Sequence, residues 1–190
     1  MRLWNGWGNE DSDLTMELSD GLRALLEALV GPGTALSQAT LNEVIAKVPN
    51  TRLDDHPLIK TDPETRVRHA RGQSLPDWLE MHSGNVDTFP DGVAFPESSD
   101  QVRELLAHAK ENHLVVIPYG GGTSVVGHIN PETSDKPVLT IDMGKMNSML
   151  SIDTESQLAI FGAGTPGPIV EEELKKHGYT LGHFPQSWEL

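Results

Sequence analysis

Three consecutive glycines are the residues of this sequence that most clearly indicate binding chemistry. They are Gly120 to Gly122, in the stretch PYGGGTSVVGH that runs from Pro118 to His128. A turn without Cβ atoms lets the backbone approach a ligand closely and present successive N–H groups to an anion. Thr123 and Ser124 add hydroxyl donors without adding charge. The run predicts a cradle for a pyrophosphate, with a flexible surface turn as the alternative, and the lack of a following lysine excludes a Walker A loop.

A second glycine motif competes for the same role. The stretch GAGTPG at residues 162–167 matches the G-x-G-x-x-G pattern of a dinucleotide-binding turn between a strand and a helix. Pro166 and Pro168 remove N–H donors from this turn, and the carboxylates of Glu171 to Glu173 would lie beside the phosphate. We therefore expect a tight strand-to-helix turn here and place the ligand at the first glycine run.

Other chemistry-bearing residues show no pattern typical of a site. The eight histidines include no pair with HxxxH or HExxH spacing, so we expect solvated histidines and no metal site. Asp54, Asp55 and the run Glu171 to Glu173 are interpreted as solvated charges. The sequence has no cysteine, which excludes disulfides, thiolate zinc sites and cysteine nucleophiles and is compatible with a reducing compartment.

Composition restricts the class of protein further. The chain has 190 residues, room for one domain with an appendage or for a piece of something larger. It carries 28 acidic and 14 basic residues with no basic stripe, which argues against a nucleic-acid partner. No apolar stretch is long enough for a transmembrane segment or a signal peptide. We expect a soluble cytoplasmic protein.

The first half of the chain, residues 1–92, is predicted to be helical and irregular. Ser19 or Asp20 can cap a helix with a leucine stripe that Gly31 terminates, and a second helix is expected over Gln38–Val48. The polar stretch Asn50–Gly92 is expected to be a connecting region with short helices.

The second half, residues 93–190, alternates apolar runs with helical patterns. One helix is expected after Ser98 or Ser99, with Val102, Leu105, Leu106 and Ala109 on one face, and another over Pro168–His177. The fold class is therefore α+β, with a helical region followed by an α/β unit. The predicted strands are VAFP from Val93, LVVIP from Leu114, VLTIDM from Val138 and LAIFGAG from Leu158.

The order of features in VAFPESSDQVRELLAHAKENHLVVIPYGGGTSVVG resembles the vanillyl-alcohol oxidase/PCMH-type family of FAD-binding proteins. The stretches WNGWG (Trp4–Gly8), ETRVRHARGQSLPDW (Glu64–Trp78) and HGYTLGHFPQSWEL (His177–Leu190) resemble the alkyldihydroxyacetonephosphate synthase branch of that family. The resemblance implies that residues 93–190 form the first α/β subdomain of a PCMH-type FAD-binding domain, incomplete at its C-terminal end. WNGWG itself is interpreted as a packed anchor.

The resemblance also implies which residues bind FAD. His128 is in addition a candidate covalent flavin attachment point, while the catalytic residues are expected beyond Leu190, with none in this chain. The first cofactor stretch consists of Pro118, Tyr119, Gly120, Gly121, Gly122, Thr123, Ser124, Val125, Gly127 and His128. The second consists of Pro185, Gln186, Ser187, Trp188, Glu189 and Leu190.

The activity implied by the resemblance is an exchange reaction. A phosphorylated three-carbon ketone ester would exchange its acyl group for a fatty alcohol, giving an ether-lipid precursor without net redox change. Two alternatives stay open: an FAD-dependent oxidoreductase of 2-hydroxy acids such as lactate or glycolate, and a non-catalytic fragment unable to hold FAD alone. The 190 residues alone are expected to be inactive, and family analogy implies a homodimer.

Overall fold

The structure, a computed structural model, describes residues 3–10, 18–185 and 187–188 and has an α+β fold. Its helices are α1 (Asp20–Val30), α2 (Leu41–Ile45), α3 (Pro63–Arg68), α4 (Leu75–Ser83), α5 (Ser99–Glu111) and α6 (Gly167–Lys176). Its strands are β1 (Ile59–Lys60), β2 (Gly92–Ala94), β3 (Val115–Tyr119), β4 (Val138–Asp142), β5 (Met149–Asp153) and β6 (Leu158–Phe161).

The main sheet has the strand order β1-β2-β4-β3. Strands β2 and β3 both pair in parallel with β4, and β1 pairs antiparallel with β2. Val138 to Ile141 of β4 are all buried, as expected of a central strand that is covered on both faces. The predicted strands β2, β3, β4 and β6 are confirmed, whereas β1 and β5 were not predicted.

Helix α5 connects β2 to β3, and β4 lies between these two strands in the sheet. Ser98 is its N-cap and accepts a hydrogen bond from the backbone N–H of Gln101. Leu105 and Ala109 are buried, as predicted, but Leu106 is 48% exposed. The buried face is therefore narrower than the apolar stripe of the sequence.

The two predicted N-terminal helices are present, with differences. Ser19 caps α1, which ends at Gly31, as predicted. None of the residues of α1 is buried, and the leucines of its stripe are 39% to 71% exposed in the described structure. Helix α2 is shorter than the predicted Gln38–Val48. Thr40 is its N-cap and forms a capping box with Glu43, so the residues before Thr40 lie outside the helix.

The polar region Asn50–Gly92 is ordered and contains the short helices α3 and α4, as expected. Within it, the RVRHARGQ segment (residues 66–73) is largely buried. Arg66 donates to the carbonyl oxygens of Pro90 (2.6 Å) and Pro49 (2.7 Å), and Arg71 forms ion pairs with carboxylates. These hydrogen bonds offset the cost of burying charged groups, which composition alone does not predict.

Strands β5 and β6 form an antiparallel hairpin outside the main sheet, followed by α6. The division of the chain between residues 92 and 93 stays a prediction. Strand β1, from the first region, is part of the main sheet through its pairing with β2.

Candidate cofactor site

The glycine run lies at the carboxyl end of β3, in the connection between the parallel strands β3 and β4. Ligands of α/β sheets bind at this edge, where the loops that follow the strands meet. Gly122 has φ +67°, a left-handed conformation that favours glycine. A Cβ atom at Gly120 would meet no atom within 4 Å, so open space adjoins the backbone there. We call residues 120–125 the glycine loop.

The backbone N–H groups of the glycine loop are unpaired within the described part of the chain. None of residues 120–125 donates a main-chain hydrogen bond to a protein acceptor. Gly122 is buried, and Thr123 and Ser124 are half-buried. Consecutive unpaired donors in such a loop need water or an anion as acceptor, so the donor set fits a pyrophosphate. His128 is exposed, with Nδ1 3.3 Å from Ser124 Oγ.

The start of the glycine loop rests on a buried histidine. The ring of His69 packs against the ring of Tyr119, with centroids 4.7 Å apart. His69 Nε2 lies 2.9 Å from a carboxylate oxygen of Asp142, and Nδ1 lies 2.7 Å from the carbonyl oxygen of Thr65. Both ring nitrogens therefore lie against oxygen atoms of the protein. The prediction of solvated histidines is wrong for His69, because the tertiary structure supplies partners that spacing does not show.

A cavity of about 280 Å³ opens beside Gly120. The ends of β3 and β4 line it through Tyr119 and Asp142, and Trp4 lines it from the N-terminal segment. Trp4 also packs against the hydrophobic cluster around Val67, as expected of an anchor.

The far end of the glycine loop is held by the RVRHARGQ segment. The backbone N–H of Gln73 donates to the carbonyl oxygen of Ser124 (2.6 Å). The N–H of Gly72 donates to Asn130 Oδ1 (3.0 Å), and Asn130 Nδ2 donates to Asp77 Oδ1 (2.6 Å). Sequence reasoning missed these contacts.

Two local signals mark part of this support in the sequence. Ser74 and Asp77 match the capping-box spacing, and they form that box at the start of α4. Gly72 follows the basic stretch RVRHAR and has no glycine, proline, asparagine or aspartate beside it that would indicate a turn. A glycine in such a position indicates that another backbone approaches closely. Neither signal names Asn130, which lies 53 residues after Asp77.

The second glycine motif is a tight turn between β6 and α6, as predicted. The N–H of Gly162 donates to the carbonyl oxygen of Ser148 (2.9 Å), and that of Gly164 donates to Met146 (3.0 Å). A Cβ atom at Gly164 would overlap the carbonyl oxygen of Met143. Glycine is required there for packing, and these two donors are already used.

Trp188, from the second predicted cofactor stretch, lies at the start of α6. The indole of Trp188 covers Gly167 and makes an edge contact with Phe184, with centroids 5.1 Å apart. No hydrogen bond or ring contact in the described ranges joins Pro185, Ser187 or Trp188 to the glycine loop. Gln186, Glu189 and Leu190 lie outside the described residues. Contact of this stretch with FAD stays a prediction.

Glu171 does not fit the interpretation of a solvated acidic run. It is buried and accepts hydrogen bonds from Thr180 Oγ1 and the N–H of Leu181, both at 2.8 Å. The bond from Thr180, followed by the backbone bonds, holds the pKa of Glu171 below its ordinary value. Its role is to fix the segment after α6.

The described residues show neither a metal-binding cluster nor a membrane-spanning helix. No group of three or more histidine, cysteine or acidic side chains there is arranged to hold a metal ion. None of the helices described is both long and apolar enough to cross a bilayer.

Residues 90–190, just over half of the chain, match the family model described as FAD binding domain. The chain belongs to this FAD-binding family. The resemblance drawn from the glycine loop is thereby confirmed, and the cofactor is FAD.

Several relatives carry the name of one enzyme. The alkyldihydroxyacetonephosphate synthase of Trypanosoma brucei brucei is 37% identical over 132 residues, which cover 68% of this chain and 22% of that protein. A solved alkyldihydroxyacetonephosphate synthase structure is similar with a TM-score of 0.79 and 28% identity, over 99% of this chain and 41% of that one. A mitochondrial D-lactate dehydrogenase [cytochrome] of Saccharomyces cerevisiae is a weaker match, 28% identical over 57% of this chain and 18% of that protein. The chain thus spans about two fifths or less of these proteins, and its fold is that of part of a PCMH-type FAD-binding domain.

Proposed function

We propose that the glycine loop binds the pyrophosphate of FAD in an enzyme with alkyldihydroxyacetonephosphate synthase activity. The observation that carries the cofactor part is the set of unpaired N–H donors at residues 120–125. The similarity to the synthases, in sequence and in structure, supports the choice of activity.

In this proposal the described residues bind and orient the cofactor. The main-chain donors of residues 120–125 and the hydroxyl group of Thr123 hold the anionic pyrophosphate without a cationic side chain in the loop. FAD, when bound, supplies the reactive flavin ring for the exchange of an acyl group for a fatty alcohol on a phosphorylated ketone ester. The acid–base groups of that exchange are expected beyond Leu190.

Two measurements on the full-length protein test the proposal. The purified protein is expected to show the visible absorption bands of bound flavin. Supplied with an acyl dihydroxyacetone phosphate and a fatty alcohol, it should release the fatty acid and form the ether without an electron acceptor. A folded preparation that contains no flavin and takes up none would contradict the cofactor assignment, and a flavin-loaded protein without exchange would contradict the activity.

A second candidate is an FAD-dependent oxidoreductase of 2-hydroxy acids. The weaker similarity to the yeast D-lactate dehydrogenase favours it. The two candidates differ in their need for an acceptor, because oxidation transfers two electrons and the exchange transfers none. Oxidation of D-lactate or glycolate that depends on an added acceptor dye, together with no exchange activity, would support the oxidoreductase.

Assembly and location are part of the same proposal. We infer a homodimer by analogy with the family, and a cytoplasmic location from the lack of cysteine. Light scattering of the purified protein tests the first, and cell fractionation with an antibody tests the second. A monomeric mass or a membrane-enclosed location would contradict the respective inference.

A further inference from the structure

The glycine loop is supported at its far end by residues that come long before it in the sequence. The backbone N–H of Gln73 donates to the carbonyl oxygen of Ser124, the last hydroxyl residue of the loop, at 2.6 Å. A Cβ atom at Gly72 would overlap the same carbonyl oxygen of Ser124. The two backbones are therefore in direct contact, and only glycine fits at position 72.

A side-chain bridge fixes the register of this contact. Asn130 accepts from the N–H of Gly72 through Oδ1 and donates to Asp77 through Nδ2. The second carboxylate oxygen of Asp77 accepts from the N–H and the hydroxyl group of Ser74, at 3.0 and 2.6 Å. Asp77 is 3% exposed, so its partners are protein groups that are held in place. We call Gly72, Asp77 and Asn130 the loop bridge.

The direction of each hydrogen bond in the loop bridge is determined by chemistry. The N–H of Gly72 can only donate, so the oxygen of the Asn130 amide must face it. The nitrogen of that amide then faces Asp77, which accepts as a carboxylate. A change of one partner leaves two donors or two acceptors facing each other inside the protein.

We propose that the loop bridge consists of positioning residues for FAD, which hold Ser124 so that the loop donors keep the spacing the pyrophosphate requires. This inference rests on the proposed cofactor function of the loop. It assigns a role to the RVRHARGQ segment, which that function does not otherwise use. None of the three residues needs to contact the cofactor.

An exchange of the two side chains tests the inference. Asn130→Asp alone places two carboxylates against each other. Asp77→Asn alone places an amide nitrogen against either the amide nitrogen of Asn130 or the N–H of Ser74, so one of the original hydrogen bonds is lost. In the double variant D77N/N130D, the amide nitrogen at position 77 donates to the carboxylate at position 130, which still accepts from Gly72. The amide oxygen at position 77 still accepts from Ser74. The net charge and the number of hydrogen bonds are those of the original pair.

The readouts are the dissociation constant of FAD for the full-length apoprotein, from fluorescence titration, and the melting temperature of the apoprotein. Each single variant is expected to weaken FAD binding at least about tenfold, which equals about 1.4 kcal/mol, and the double variant to restore it. If the single variants do not fold, the double variant decides alone, because recovery of both folding and FAD binding supports the inference. A folded double variant with weak FAD binding would overturn it.

A glycine pair gives an independent test. Gly72→Ala is expected to weaken FAD binding about tenfold or more, because the added methyl group pushes Ser124 away. Gly33→Ala is the matched control, since a Cβ atom there meets nothing within 4 Å. Equal FAD binding by the Gly72→Ala and Gly33→Ala variants would overturn the inference. If Gly72→Ala is insoluble, normal FAD binding by the Asp77→Asn and Asn130→Asp variants would overturn it. Failure of the original protein to bind FAD would instead refute the proposed function.

Discussion

At the scale of single residues, Asp91 shows how one buried carboxylate joins separate parts of the chain. It accepts from Arg52 Nε at 2.9 Å and Nη2 at 2.7 Å, and from the N–H of Val138 at 2.8 Å. Burial disfavours the charged form of Asp91, but the hydrogen bonds from Arg52 and Val138 outweigh it and lower the pKa below its ordinary value. The polar residue before β2 is therefore part of the interior.

Asp91→Asn should lower the free energy of unfolding at neutral pH by about 2 to 3 kcal/mol, since it removes the charge that Arg52 and Val138 face. The pKa of Asp91 is lower in the folded protein than in the unfolded chain. Its stabilisation is therefore complete at pH values above the unfolded-state pKa, and it is lost as the pH falls through the folded-state pKa. The original protein should lose stability on acidification more steeply than the variant. Urea unfolding at neutral and acidic pH measures both, and parallel pH curves for the two proteins would contradict the role of Asp91.

At the scale of elements, two glycine-rich turns of similar appearance have different environments. The glycine loop after β3 keeps its N–H donors unpaired in the described structure, whereas Gly162 and Gly164 after β6 donate to the preceding backbone. Both follow a strand, and both need glycine for a reason of geometry. Only the first has donors left for a ligand, so the difference lies in hydrogen bonding and not in composition.

A pair of alanine substitutions separates these two roles. Gly164→Ala should lower stability by about 1 to 3 kcal/mol, because the methyl group overlaps a carbonyl oxygen, and the folded protein should keep its FAD affinity. Gly122→Ala should weaken FAD binding about tenfold, because its positive φ disfavours alanine in the loop that we propose binds the cofactor. Thermal unfolding and FAD titration measure the two effects, with Gly33→Ala as control. A larger loss of FAD affinity in G164A than in G122A would reverse the assignment.

For the chain as a whole, an acidic composition is combined with a site that we propose binds an anionic cofactor. The formal charge is −14, and the glycine loop has no lysine or arginine. Arg71, near the cavity, is committed to ion pairs with Glu80 and Asp87. Under the proposed function, neutral N–H donors are the main attraction for the pyrophosphate, while the field of this acidic chain opposes its approach.

This charge distribution predicts an unusual salt dependence of FAD binding. Salt screens the repulsion between the acidic surface and the cofactor, so raising its concentration from about 0.05 to 0.5 M should not increase the dissociation constant. Association should become faster over the same range. Stopped-flow fluorescence of the full-length apoprotein measures both quantities. A tenfold or greater weakening with salt would indicate that cationic side chains hold the pyrophosphate.

Exposed apolar residues are a second property of the whole molecule. The helical period of α1 predicts an amphipathic helix, and α1 forms with its expected cap, yet Leu25 is 54% and Leu29 71% exposed. Leu158 and Ile160 of the β5–β6 hairpin are likewise exposed. Periodicity determines which face of an element is apolar, but only neighbouring elements decide whether that face is buried.

The local features follow from the sequence alone: a helix start at Ser19 or Asp20 and another at Ser98 or Ser99, most strands of the second half, and the glycine loop that follows β3. These depend on residues within a few positions of each other, where backbone sterics, capping and periodicity act. Only the folded chain shows that His69 packs against Tyr119 at the start of that loop and that Gly72 and Asn130 lie at its end. These partners are far apart in the chain, and only folding sets their distances and hydrogen-bond directions.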